Sequence, residues 1–161
     1  MGSKYAAVLR RETSLPEREL LIAQAWGDVP VSYVQDQERL NECSFIDLKI
    51  NKWEINSKWS GQQDSDVWIR VEILKEAALV EYLQNEGCPL SVDVEHQILV
   101  IFELDEGWSA FDNLLLLRLI SAFCGFSKIY KWCGIFQELS SGVFSCLPSK
   151  NDIYERLHKG E

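Results

Sequence analysis

No two of the five cysteines stand at the spacing that metal sites or small disulfide scaffolds require. Cys43, Cys88, Cys124, Cys133 and Cys146 are odd in number and far apart, and none forms a C-x-x-C pair. Each lies among apolar or turn residues, so reduced and mostly buried thiols are expected, and with them a reducing, cytoplasmic compartment. Histidine is scarce. His96 falls in an expected turn and His158 near the last residue, and no G-x-S-x-G elbow accompanies either. That excludes a recognisable nucleophile–base–orienter set. The nine glycines are scattered, so neither phosphate-cradling fingerprint is present. A calcium loop, with its glycine and terminal glutamate, is also missing. Long apolar runs are absent too. The longest, Leu114 to Phe126, is interrupted by Arg118 and falls short of the roughly 20 residues that span a bilayer. Arg10, Arg11 and Glu12 break the apolar stretch a signal peptide needs, and Ala6 stands where acylation of Gly2 wants Ser or Thr. The expectations are no membrane, no metal and no cofactor.

Basic residues are scarce in one place above all. Residues 61–113 hold 12 acidic groups against 2 basic ones, a local balance of −10 in a chain of net charge −9. Such a surface repels phosphate backbones, which excludes direct nucleic-acid binding. It attracts a basic partner and speeds encounter with it. It also serves plain solubility.

What is present belongs to a folded protein. Six Trp, five Tyr and seven Phe in 161 residues exclude disorder, and the length suits one domain over 1–161. No repeat or long linker divides it. Lys4–Arg10 reads as a strand. Ser14-Leu15-Pro16-Glu17 has the form of a helix start, with Ile22, Ala25 and Trp26 on one face before Gly27. Val29–Asp36, with Pro30, reads as an edge or a loop. Phe45–Ile55 alternates, then shifts phase at Trp53, which demands a bulge or a turn. Val67, Ile69, Val71 and Ile73 alternate with polar residues and give the clearest strand, paired with Phe45–Ile55 as a hairpin around a polar loop. Leu74–Glu86 is a helix closed by Gly87. Ser91–Glu95 and Ile98–Leu104 read as strands. Ser109-Ala110-Phe111-Asp112 opens a helix that is apolar almost all round, hence central, and Gly125 closes it. Ile129–Cys133, Ile135–Leu139 and Val143–Leu147 read as short strands. Ser149–Asp152 caps a last helix whose inner face is Ile153, Tyr154 and Leu157. Strands and helices do not alternate regularly. The expected class is therefore α+β, a mostly antiparallel sheet packed on the central apolar helix with flanking helices.

The candidate partner-binding residues are the carboxylates Asp64, Asp66, Asp93, Glu95, Asp105 and Glu106, with Trp59 and Trp68 as aromatic anchors. Trp68 is out of phase with Ile69, among Arg70 and Glu72, and so faces the more exposed side of its strand. An exposed aromatic beside charges buries a large area at small entropic cost. The acidic stretch Asp64 to Glu106, interleaved with Trp59, Trp68 and Trp108, resembles the small acidic immunity proteins of bacterial toxin–immunity systems. The resemblance, one of general character, implies a non-catalytic protein that caps a basic toxin domain such as a nuclease, its carboxylates standing in for substrate phosphates. Two other readings use the same residues. Carboxylates from different strands could form a metal-assisted active site, and the Trp cluster could stack on a carbohydrate or another small ligand.

Overall fold

The structure, a computed structural model, describes residues 4–59, 66–88, 90–124, 128–133 and 135–160. Its elements in chain order are β1 (Lys4–Arg10), α1 (Arg18–Ala25), β2 (Val31–Gln35), a 3₁₀ turn (Leu40–Glu42), β3 (Phe45–Ile50), α2 (Lys52–Ile55) and β4 (Ile69–Leu74). There follow α3 (Glu76–Asn85), β5 (Gln97–Leu104), α4 (Ala110–Cys124), β6 (Ile129–Cys133), β7 (Ile135–Glu138), α5 (Ser141–Ser145) and α6 (Lys150–Lys159). The seven strands form one sheet in the order β2-β3-β4-β5-β1-β6-β7, with every described pair antiparallel. The fold is α+β, as the irregular alternation of elements predicts.

The side-chain period of two divides the sheet into two unlike faces. The first carries Tyr5, Ala7 and Leu9, Ile46, Leu48 and Ile50, Ile69, Val71 and Ile73, and Ile98, Val100, Phe102 and Leu104, all buried. Against it pack α1, α4 and α6 through Leu21, Trp26, Leu116, Ile120, Ile153 and Leu157. Trp26 is fully buried and donates its indole N–H to the Leu115 carbonyl at 2.9 Å. Arg118, the break in the apolar run, reaches back to the α1 carbonyls of Gln24 and Ala25 at 3.2 and 3.1 Å. It thus serves acceptors that the end of a helix leaves unpaired. The second face is covered only in part. α3 lays Leu79, Tyr82 and Leu83 over Ala6, Leu99 and Ile101, with Trp132 and Phe136 at the side. The half formed by β2, β3 and the start of β4 has no helix over it among the described residues.

Local chemistry explains where expected boundaries hold and where they move. Ser109 and Asp112 exchange the bonds of a capping box, Asp112 N–H to Ser109 Oγ at 3.2 Å and Ser109 N–H to Asp112 Oδ2 at 2.8 Å. Ser149 accepts from Asp152 N–H at the start of α6. Gly87 is left-handed just beyond α3, with φ +60°. The Ser14–Glu17 box does not form. Leu15 N–H donates to the Asn41 side chain at 2.9 Å, Glu17 stays extended, and α1 begins at Arg18. A residue before proline avoids the helical region, which holds Leu15 out of the helix. The phase shift near Trp53 is a turn of helix, α2, rather than a bulge. Ser91–Glu95 is no strand. Its backbone folds into a turn in which the Asp93 carbonyl accepts from both His96 and Gln97. Val143–Leu147 is no strand either, since α5 runs through it. Tyr154 is partly exposed rather than on the inner face of α6, and Cys146 is exposed rather than buried.

Candidate binding surface

The uncovered half of the second face is ordered by strand register. Val34 lies opposite Asp47, Asp47 opposite Arg70, Arg70 opposite Glu103, and Glu103 opposite Lys4. Beyond the apolar Val34, one row across four strands therefore alternates in charge. Opposite charges placed directly across a sheet attract, so the row is an internally neutralised ladder. Arg70 binds Asp47 through two parallel bonds, Nε to Oδ1 and Nη2 to Oδ2, both 2.8 Å. That carboxylate raises the Arg70 guanidinium above its ordinary pKa, with burial opposing it. Its guanidinium also lies 5.2 Å from the Phe45 ring centre.

Trp68 extends the β4 ladder by one step, since its carbonyl accepts from Asp105 N–H at 3.2 Å. Its ring covers the buried Lys49, whose ammonium lies 5.0 Å from the ring centre. Val34, Asp47, Trp68, Arg70, Glu103 and Asp105 line an open groove of about 420 Å³. Three carboxylates thus meet in one cleft, but Arg70 engages Asp47. Among the described residues no group of three or more His, Cys, Asp or Glu is arranged to hold a metal ion.

The expected contact residues do not form one patch. Asp64 lies outside the described residues. Asp93 and Glu95 precede β5, whereas Asp105 and Glu106 follow it, so eight residues of strand set them roughly 25 Å apart. Asp93 is occupied locally, with its Oδ2 2.8 Å from His96 Nδ1 and its Oδ1 accepting from Glu95 N–H. The hydrogen bond to His96 holds its carboxyl below the usual carboxylate value. Asp66 is buried, not on the surface. Its Oδ2 has no hydrogen-bond partner, and burial raises its pKa against the pull of Lys52 and Lys49. Lys52 Nζ itself is taken by Asp112 Oδ1 at 2.7 Å, in a buried ion pair.

The two tryptophans part company. Trp59 stacks on Phe111 with ring centres 5.1 Å apart and planes 4° from parallel. Its indole N–H donates to the Leu157 carbonyl at 2.7 Å, which ties the β3–β4 connection to α6. Trp68 is the tryptophan of the open face, and Asp105 is beside it. Asp47, Arg70 and Glu103 join them unannounced. Their polar phase on the strands was legible, but register between strands depends on residues far apart in sequence.

No family model, no curated protein and no solved structure matches the chain.

Proposed function

We propose that the protein is a non-catalytic binding protein of the cytoplasm that neutralises or regulates a basic protein partner. The immunity-type blocking of a toxin domain is the form that best fits its character. The observation that carries this is the half-buried Trp68 on a half-sheet that no helix among the described residues covers, in a groove rimmed by Glu103 and Asp105. A net charge of −9 draws a basic partner toward the whole molecule, and an aromatic on a rigid strand gives it a place to anchor. The charge ladder of Asp47, Arg70 and Glu103 supplies register, because a wrongly placed partner charge meets its like.

The test is affinity capture from source cells at low salt with the native protein and with Trp68→Ala as bait. The reading expects a stoichiometric basic protein on the native bait, released by high salt and depleted at least about tenfold on the variant, as loss of an interface aromatic entails. Co-expression with that partner should then relieve its toxicity. A partner retained equally by both baits, or no partner on either, would overturn the reading.

A further inference from the structure

Strand β2 is an edge of the sheet, and it is unusually poorly defended. Among the described residues its outer side pairs with no strand. Asn51 N–H donates to the Pro30 carbonyl, one step beyond the Val31–Ile50 pair that begins the β2–β3 register. Hydrogen-bonded pairs alternate along an antiparallel ladder. Ser32 and Val34 therefore spend their backbone groups on β3, while those of Val31, Tyr33 and Gln35 point outward. Natural edges are usually blunted by lysine, proline or a bulge. Pro30 stands just before β2 with its bonding side turned to β3, the five residues of β2 itself contain none of these, and Tyr33 and Val34 are 47% and 52% exposed.

A groove lies on each side of this edge. On the second face Val34 borders the Trp68 groove. On the first, Tyr33 and Gln35 line an open groove of about 710 Å³ with Glu17, Glu19, Asp36 and Glu38. Arg18 and Arg39 also line it, but each is already engaged. Arg18 holds Glu19 and Gln35 and lies over the Tyr33 ring, and Arg39 faces Glu17 at 3.6 Å. Those contacts neutralise Glu19 and Glu17 as well, so the acidic excess of the groove, beside an apolar, hydrogen-bonding edge, is Asp36 and Glu38.

We infer that β2 takes up an extended segment of the basic partner as an eighth, antiparallel strand. This rests on the reading above and names its mode of recognition. An added strand places alternate side chains on opposite faces. Those opposite Val31, Tyr33 and Gln35 enter the carboxylate groove and are Lys or Arg. Those opposite Ser32 and Val34 lie toward Trp68 and are apolar. A second copy of this chain is a poor occupant, since pairing β2 with itself brings two sets of Asp36 and Glu38 together.

The probe is a capped synthetic peptide of alternating Lys and Val, added to the full protein while amide exchange is followed by NMR. In the inferred geometry the Lys residues face the outward-bonding residues of β2, so their own amides donate to it. The expected result is slowing of the Val31, Tyr33 and Gln35 amides by about tenfold or more. N-methylation of the Lys amides should abolish it, and N-methylation of the Val amides should leave it intact. A Glu38→Gln protein should bind the peptide several-fold more weakly. Peptide binding without protection at β2, equal protection by the Lys-methylated peptide, or a β2-paired homodimer in sedimentation would each overturn strand addition. A partner that needs Trp68 yet leaves the β2 amides unprotected would sink this inference alone and spare the reading it rests on.

Discussion

Trp59 and Trp68 look alike in the sequence, as aromatics flanking one polar loop, and they have different employment. The Trp59 ring is sandwiched into the structure by Phe111 and its N–H is spent on Leu157. Trp59→Ala should cost about 3 kcal/mol in urea unfolding, as large-to-small changes at packed aromatics do. Trp68→Ala, half-buried over Lys49 but outside the core, should cost clearly less, about 1 kcal/mol. Equal losses from both would mean that Trp68 is a packing residue. Asp66 is a second residue whose environment decides its meaning. Burial favours its neutral form, so the folded-state pKa is raised. A raised carboxyl binds protons more readily in the native state, which makes the native protein lose stability as pH rises between the ordinary and the raised value. Asp66→Asn escapes that loss. The variant should gain on the native protein at neutral pH, with the gain fading as pH falls to the ordinary carboxylate range. Urea melts at several pH values read it directly. A variant that is less stable at neutral pH would show that attraction to Lys52 and Lys49 outweighs burial.

At the scale of elements, connections hold more information than the strands they join. The link from β2 to β3 is organised by Asp36, whose carboxylate accepts from the amides of Ser44 and Phe45 and from the Ser44 hydroxyl. Burial would raise this carboxyl, but the Ser44 hydroxyl and those amides outweigh it and keep it low. A depressed carboxyl contributes stability that is present above its unfolded value and is lost as pH falls through the folded one. Asp36→Ala should therefore cost about 1 kcal/mol at neutral pH, a modest figure because the site is exposed. The cost should shrink in acid. A pH-independent difference in thermal or urea stability would show that the side chain acts through packing alone. Because Asp36 anchors the end of β2, the same variant should also loosen the edge strand. The helix starts at Ser109 and Ser149 were legible because a cap is a local bargain between residues three apart. The start at Ser14 moves to Arg18 for the converse reason, since the competitor for the first amides, Asn41, lies far along the chain.

On the scale of the whole molecule, the acidic excess of residues 61–113 is dispersed by the fold. β5 carries Asp93 and Glu95 to one end of the sheet and Asp105 and Glu106 to the other, and Asp66 goes inside. The open face between them is a balanced ladder rather than a negative patch. In the proposed reading, long-range attraction is a property of the total charge, while positional discrimination belongs to the grooves on either side of β2. These act at different distances, and salt screens the first more than the second.

The sequence alone determined the class of fold, the central apolar helix and the sum of charge, and it left the Pro30 segment as an edge or a loop. Each follows from local periodicity, local capping or simple counting. Only the tertiary structure decided that, among the described residues, α3 covers half of a face and leaves the rest open, that Asp47, Arg70 and Glu103 stand in one row, that Asp66 turns inward, and that Trp59 packs on Phe111 while Trp68 lines the open face. Register and burial are set by contacts between residues tens of positions apart, and a pattern read within one segment carries no record of which distant segment will lie beside it.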